Sequence, residues 1–354
     1  MVYTIFADRN ALLILKTFYP LMTMNRRTLF NAIRMNKEYD PSIRAKEWQL
    51  WDYRAFSLDK LFSMLAEVSL FLDRDSFIAY AEHFDTPEEL TEAFVEESET
   101  DSETEEKIYP LLFELWRRIV PEKRCLSLFC DELDTQIHAY DTGKLQHPEP
   151  LEDVLANFAQ LLEENADMGE EPQELFAIIS EGCANDIESF LYDFISECID
   201  QQNEAYASEL IDNFRDYVSA PQWFDILQAR IIGTSNPEEA DKMLRQLVKK
   251  ASNENDIDFS FELLSLLVQE GDERLFIETA KNTIPLLEIE EDLLEILALT
   301  ADYYRCLDND YKEEAVNHII EQRNSPSLAE PVKPSDPDIK ALLKVFRMQD
   351  KEKD

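Results

Sequence analysis

Two cysteines and a histidine near the middle of the chain are the residues whose spacing is closest to a metal-binding motif. Cys125, Cys130 and His138 follow one another with four and seven residues between them. A structural zinc ion needs about four converging donors. This run offers only three donors and lacks the close cysteine spacing of a zinc knuckle. It therefore favours a packed helix that carries two buried thiols.

The other candidate donors do not complete a catalytic or metal site. Glu314 and His318 lie one helical turn apart, but two donors are too few to hold a metal ion. The run 165–171 comes closest to a calcium loop and lacks the closing glutamate. The five glycines are isolated, which excludes a phosphate-binding loop. The sequence therefore predicts no catalytic residue, no metal and no cofactor.

Two tryptophans lie among basic residues, a combination that is found on nucleic-acid-binding surfaces. Trp48 and Trp51 are flanked by Arg44, Lys46 and Arg54, and aromatic rings among cations can stack on nucleic-acid bases. They can equally be core side chains. The core interpretation is favoured, because residues 1–60 are only modestly basic and the rest of the chain would repel a polyanion.

Acidic residues dominate the charge. The 354 residues include 34 Lys and Arg but 75 Asp and Glu, a formal net charge of −41. The stretch 145–214, here called the acidic segment, contains eighteen acids and neither lysine nor arginine. Three interpretations follow: a surface for solubility, a surface that recruits a basic partner, or a mimic of nucleic-acid phosphates that sequesters a nucleic-acid-binding protein.

The elements that position these residues are predicted to be helices. Apolar side chains recur with helical period nearly everywhere. Thr86-Pro87 and Asn236-Pro237, each followed by two glutamates, have the composition of helix starts. Residues 1–143 are predicted to be an irregular helical region with an acidic loop at 95–107. The Gly- and Pro-containing run 143–150 is predicted to be a domain boundary.

From about residue 150 to 323 the pattern becomes regular. Helices pair up, and Tyr206, Ala240, Phe276 and Ala315 occupy corresponding positions of successive second helices, 34, 36 and 39 residues apart. A single pair cannot cover its wide apolar face, whereas stacked pairs can. The predicted fold class is therefore all-α, with an irregular N-terminal region followed by an α-solenoid of antiparallel helix pairs.

The spacing resembles that of tetratricopeptide-type repeats over about residues 185–323. The turn at 270–272 is similar to the family's turn between its two helices, and Ala240 and Ala315 fall near its small-residue position. The expected early Trp and Gly are missing, and Phe276 replaces the small residue of the third pair. The resemblance implies a scaffold that binds a peptide in a groove.

The function predicted from these features is a non-enzymatic interaction module, such as an adaptor, a scaffold or a chaperone-like protein, that binds a basic protein or peptide. Its groove is expected to be lined by residues of first helices: Glu188, Tyr192, Glu197, Asp225, Gln228 and Glu262. The alternatives are the nucleic-acid mimic and an enzyme whose site residues are dispersed through the sequence.

The C-terminal part combines a Pro-rich linker at 324–337 with a short basic amphipathic helix at 338–349. Lys340, Lys344 and Arg347 surround its apolar side and are further candidates for partner binding. The helix could dock on the chain's own solenoid, bind another protein, or pack permanently as a cap.

Cellular location is predicted from the cysteines and the N-terminus. Five cysteines without a paired pattern are typical of reduced thiols in a cytoplasmic protein. The first residues lack the basic start of a signal peptide, and the apolar run 11–24 is interrupted and too short to span a bilayer. We expect no membrane partner and no direct nucleic-acid binding.

Overall fold

A computed structural model describes residues 24–98, 101–270, 272–323 and 327–348. Within these ranges the protein has seventeen α-helices and three short 3₁₀ helices, joined by turns, and no β-strand. No helix of the described ranges is both long and apolar enough to cross a bilayer. The all-α class predicted from periodicity is confirmed.

The chain divides into two compact units. The first contains the chain up to Leu191 together with Tyr217–Ser219, and the second contains Tyr192–Asp216 and the chain from Ala220 onward. The division falls within the helix Ile187–Asp200. The run 143–150 lies inside the first unit: residues 143–148 connect two helices, and residues 149 and 150 begin the second of them.

Over its described residues, the first unit contains eight complete α-helices. They are α1 (Met24–Tyr39), α2 (Leu58–Glu67), α3 (Arg74–Ala81), α4 (Pro87–Ser98), α5 (Ser102–Ile119), α6 (Leu126–Asp141), α7 (Glu149–Ala166) and α8 (Pro172–Glu181). Two 3₁₀ helices, Glu47–Leu50 and Tyr53–Ala55, connect α1 to α2.

Helix α5 is the centre of the first unit's core. It packs against α2, α3 and α4, and its Leu112, Leu115 and Trp116 are fully buried. Helix α6 packs against α1 and α7, and α7 packs against α8. Burial of these apolar faces stabilises the unit by about 25 cal/mol for each Å² removed from water.

The prediction of an acidic loop at 95–107 was wrong over the described residues. Helix α4 continues to Ser98, and α5 begins at Ser102; residues 99–100 lie outside the described ranges. Asp101 caps α5, because its carboxylate accepts from the backbone N–H groups of Glu103 and Thr104 at 3.0 Å each. The acids that follow lie at the positive end of the helix dipole, where negative charge is favourable.

The two tryptophans lie in and beside the 3₁₀ turns that follow α1. Trp48 is buried. The ring of Trp51 packs edge-on against that of Phe56, with 6.2 Å between the centroids, and at a tilt against that of Tyr53. Both rings are therefore engaged within the first unit, which supports the core interpretation over base stacking.

The described residues of the second unit form the end of α9, eight further α-helices and the short 3₁₀ helix Ile284–Leu286. The α-helices are α9 (Ile187–Asp200), α10 (Glu204–Phe214), α11 (Pro221–Ser235), α12 (Pro237–Glu254), α13 (Ile257–Glu270), α14 (Glu273–Thr283), α15 (Glu290–Cys306), α16 (Asp310–Gln322) and α17 (Pro337–Val345).

The second unit is a stack of helix pairs. Helix α11 packs with α12, α13 with α14, and α15 with α16, and each first helix contacts the first helix of the next pair. Lys250, near the end of α12, donates to Gln222 at the start of α11 at 3.2 Å, as expected for an antiparallel pair. The predicted solenoid-like arrangement of pairs is confirmed within this unit.

The helix starts predicted from sequence are confirmed at both sites. The Thr86 hydroxyl accepts from the backbone N–H of Glu89 at 3.2 Å, and the Asn236 side chain accepts from that of Glu239 at 3.3 Å. Each cap satisfies an N–H group that has no partner within its helix.

Phe276 shows why the third pair departs from the small-residue pattern. Its ring stacks on Tyr303 with centroids 4.0 Å apart and planes 4° from parallel. Both side chains are fully buried. The larger residue on α14 therefore fills a space that faces an aromatic residue of α15, and a small side chain there would leave a cavity.

The C-terminal helix α17 is a fixed cap of the second unit. It contacts α16, and its Ile339, Leu342 and Val345 are buried in that unit's core. The part of the predicted linker between 327 and 332 is bonded to the start of α15: the backbone N–H of Val332 donates to Glu288 at 2.9 Å, and that of Glu290 donates to Glu330 at 2.8 Å. Of the three predicted placements of this helix, packing as a cap is the one observed.

Candidate functional site

The acidic segment covers α7, α8, α9 and α10. Fourteen of its eighteen acids are exposed and none is buried. The apolar face of α7, which includes Leu151, Leu155 and Phe158, turns inward, so the acidic residues of that helix are left outside. A continuous stretch of 70 residues therefore presents carboxylates without a lysine or arginine of its own.

Several of these acids lie at the ends of helices where negative charge is unfavourable. Glu163 and Glu164 occupy the last turn of α7, Glu181 ends α8, and Asp200 ends α9. An acid in the last turn of a helix opposes the helix dipole by about 0.3–1 kcal/mol. Of these four acids, Asp200 forms an ion pair with the Arg230 guanidinium at 2.6 Å.

Two large apolar side chains are exposed within the acidic segment. Met168, in the turn between α7 and α8, is 41% exposed, and Ile178 on α8 is 40% exposed. Methionine adapts its shape to an apolar partner better than a branched side chain does. The segment thus offers apolar contact points among its carboxylates.

Some of the predicted groove residues meet in the second unit. The Tyr192 hydroxyl of α9 donates to the Glu262 carboxylate of α13. The Tyr192 ring packs edge-on against Trp223 of α11 at 5.4 Å, and Trp223 packs against Phe259 of α13 at 5.7 Å. Burial and the adjacent carboxylate raise the pKa of Tyr192. First helices therefore share one row of aromatic and acidic side chains.

The other predicted groove residues lie apart from this row in separate local contacts. Glu188 accepts from the Ser219 hydroxyl at 2.8 Å within the first unit. Asp225 accepts from the Arg215 guanidinium at 2.6 Å. Glu197 is exposed and accepts from Gln201 at 2.7 Å, whereas Gln228 is half-buried. The basic candidates are all exposed at the C-terminal end: Lys340, Lys344 and Arg347.

A buried charge network in the first unit was not predicted. Asp131 accepts from Arg27 at 2.5 Å, from Arg54 at 2.7 Å and from the Asn31 amide at 3.2 Å. The two arginines hold the pKa of Asp131 well below its usual range, although burial opposes them. The Arg27 guanidinium also lies 4.1 Å from the centroid of the Phe113 ring. In the sequence, this network is indicated by nothing more than charged residues within apolar helical patterns.

Asp134, one helical turn further along α6, is a second buried carboxylate. It accepts from the Asn31 amide at 3.1 Å and from the backbone N–H of Ala184 at 2.9 Å. Burial raises its pKa despite these bonds. Both carboxylates are thus hydrogen-bonded within the chain. These hydrogen bonds connect α6 to α1 and to the turn after α8.

Glu88 is a buried acid of a different kind, because it has hydroxyl partners. It accepts from Tyr109 at 2.6 Å and from Ser127 at 3.1 Å. Burial raises the pKa of its carboxyl group. A raised pKa in the folded state means that stability from this group is present below its usual pKa, near 4.3, and is lost as the pH rises through the folded value.

The substitution Glu88→Gln is therefore expected to leave the protein at least as stable as the wild type at pH 7.5. The glutamine keeps a carbonyl acceptor for Tyr109 and carries no buried charge. Its advantage should shrink as the pH is lowered from 8 toward 4, and thermal unfolding over this pH range measures the change. Glu92→Gln on the same helix is the control and should show no such trend. A constant loss of stability for Glu88→Gln at every pH would contradict this assignment.

The residues considered for zinc binding have other roles. Cys125 and Cys130 are buried thiols, and burial raises the pKa of Cys125 to about 12. His138 Nε2 lies 3.1 Å from a Glu38 carboxylate oxygen. Across the part of the chain that the structure describes, no group of three or more His, Cys, Asp or Glu side chains is placed to hold a metal ion.

Comparison with known proteins gives no relative from which a function could be transferred. No family model matches the chain, and neither a curated protein nor a solved structure shows significant similarity to it.

Proposed function

We propose that this protein is a non-enzymatic interaction module whose acidic segment binds a basic protein or peptide. The observation that carries the proposal is the exposure of nine acids of the first unit and five of the second, in a stretch of the chain without a single lysine or arginine. Complementary charge accelerates association and selects partners by sign. Adaptor, scaffold and chaperone-like roles all use such a surface.

The positions of the acids support a role beyond solubility. Solubility requires net charge but does not require acids at the carboxyl ends of helices. Glu163, Glu164 and Glu181 occupy such ends, where each costs stability. Lysine at the same positions would be favourable, so their acidity is better explained by the sign of the partner.

The partner that fits best is an amphipathic basic helix. Met168 and Ile178 provide apolar contacts, and the surrounding carboxylates would pair with lysine or arginine at the helix margins. An amphipathic helix binds an apolar surface through anchors three or four residues apart.

The proposed setting is the reducing cytoplasm. All five cysteines are thiols, and four of them are buried. Buried thiols persist in compartments where the glutathione pool keeps cysteine reduced.

Binding is tested with a fluorescein-labelled basic amphipathic helix of Lys, Leu and Ala. We expect its Kd, measured by fluorescence anisotropy, to rise at least about tenfold between about 50 and 500 mM salt, because screening weakens exposed charge pairs. We also expect a variant with four fewer acids to bind about tenfold more weakly at about 150 mM salt, since each exposed pair contributes about 0.2–1 kcal/mol. Its substitutions to glutamine are at Glu163, Glu170, Glu171 and Glu181.

The control variant removes the same number of charges elsewhere in the first unit. Its substitutions to glutamine are at four exposed glutamates: Glu47, Glu67, Glu82 and Glu122. This variant should bind within about twofold of the wild type, because its lost charges lie outside the acidic segment. Equal losses in the two variants would show that net charge alone attracts the peptide, and the proposal would be wrong.

A further inference from the structure

An open groove lies in the second unit between α14 and the end of the C-terminal helix. Its volume is about 710 Å³, within the range of sites that hold small ligands or a few side chains. Apolar side chains on its surface come from Ile277 on α14 and from Phe346 and Met348 just after α17. The groove therefore joins an apolar surface to residues from two separate parts of the chain.

The charge around the groove is opposite to that of the molecule. Arg274 and Lys281 on α14 and Arg347 after α17 line it and are exposed. Of its two carboxylates, that of Glu273 accepts from the buried Lys312 at 2.8 Å, so that pair adds no net charge. The remaining carboxylate, that of Glu278, is outnumbered by the three exposed cations. In a chain of net charge −41, this is a local excess of positive charge.

The groove is held in shape by buried interactions. The Lys312 ammonium lies 5.0 Å from the centroid of the Tyr304 ring as well as beside Glu273. Phe346 is buried in the core of the unit. The Arg323 guanidinium fixes the start of α17 by donating to Asp338 at 2.6 Å. A ligand therefore meets a preformed surface, which lowers the entropic cost of binding.

We infer that this groove binds an acidic peptide segment that carries an apolar side chain. The apolar side chain would cover the half-buried Ile277 and Met348, and the ligand's carboxylates would pair with the exposed cations at the rim. Charge complementarity identifies the occupant, since a basic peptide would meet three like charges. This groove would bind an acidic partner, whereas the acidic segment would bind a basic one. The inference therefore does not depend on the proposed function.

The test uses the full-length protein and two labelled peptides. The first places glutamate and aspartate around a central Leu-Phe pair, and the second replaces every acid with the matching amide. At about 150 mM salt the Debye length is about 8 Å, so repulsion from acids beyond that distance is largely screened. We expect the acidic peptide to bind with a Kd below about 100 μM and at least about tenfold more tightly than the amide peptide. Absence of binding, or equal binding of both peptides, would overturn the inference.

Charge reversal locates the binding site. The double substitution Lys281→Glu and Arg347→Glu should weaken binding of the acidic peptide at least about tenfold. The control is Lys249→Glu, which reverses an exposed cation of α12 outside the groove and should change the Kd by less than about twofold. Thermal unfolding checks that each variant is folded, and the single substitutions serve if the double variant is not. An unchanged Kd in the groove variants, or an equal loss in the control, would overturn the inference.

Discussion

Replacing Asp131 with alanine is expected to lower the free energy of unfolding by about 3–5 kcal/mol. The Asp131 side chain is 1% exposed and is the carboxylate between Arg27 and Arg54. Its removal leaves Arg27, which is 6% exposed, as an unpaired buried cation. Chemical denaturation monitored by tryptophan fluorescence measures the loss.

Glu132→Ala is the matched control for this substitution. Glu132 pairs with the same Arg54 at 3.0 Å, but its side chain is 41% exposed. An exposed pair of this kind contributes about 0–1 kcal/mol, so the control should change stability little. A cost for Asp131→Ala as small as that of Glu132→Ala would contradict the assignment of a buried ionic network.

The pH dependence of Asp131 has the opposite sign to that of Glu88. Its folded pKa is lowered by the arginines, so its stabilising effect is complete above the usual aspartate pKa, near 3.9. The effect is lost as the pH falls from there toward the folded value. The wild-type protein should therefore lose stability faster than Asp131→Ala as the pH is lowered below 4.

Replacing Arg323 with alanine is expected to release the C-terminal helix and to destabilise the second unit by about 3–5 kcal/mol. Arg323 donates to Glu290 at 2.6 Å, to Asp338 at 2.6 Å and to Asp336 at 3.1 Å. The pKa of Arg323 is raised by these carboxylates. Without the guanidinium, three acids repel one another, and the side chain of Glu290 is only 3% exposed.

Hydrogen exchange read by mass spectrometry measures the release of α17. Amides of 337–345 and of the run 327–332 should exchange much faster in Arg323→Ala, whereas those of α11 and α12 should change little. Arg305→Ala is the control, because Arg305 forms an exposed pair with Asp302 on α15. Unchanged protection of α17 in Arg323→Ala would show that apolar burial alone holds the helix.

Sequence reasoning was sufficient where the signal is local. Helical period and capping residues predicted the class, the three pairs α11–α12, α13–α14 and α15–α16, and the helix starts at Pro87 and Pro237. The acidic run near residue 100 was misassigned because polarity was interpreted as a loop. Helix α5 buries its apolar side only after Lys107, and the cap at Asp101 lies before any apolar residue shows the period.

Long-range pairing was beyond the same reasoning. Arg27 and Asp131 are separated by 104 residues, and no periodicity within α1 or α6 indicates that they meet. The C-terminal helix has a local apolar face that sequence predicts, but its place of docking depends on Arg323 and on the backbone bonds of 327–332 to α15. These contacts follow from the packing of the whole unit.

Helix spacing predicted one contact among the candidate groove residues and missed the others. Tyr192 and Glu262 were chosen because both lie on first helices, and the structure places them in contact. Glu188 and Asp225 were chosen by the same rule and bond to Ser219 and Arg215 instead. Helix-face position was predictable from spacing, whereas local competition from hydroxyl and guanidinium donors was not.

Zero-length cross-linking shows whether a basic partner binds to the acidic segment. Carbodiimide joins a lysine of the bound basic peptide to a carboxylate in contact with it, and mass spectrometry identifies the acid. The acidic segment holds eighteen of the chain's 75 acids, so random contact would place about a quarter of the cross-links there. We expect more than half of the cross-links to fall between Glu149 and Asp212. A distribution in proportion to the number of acids would contradict this expectation.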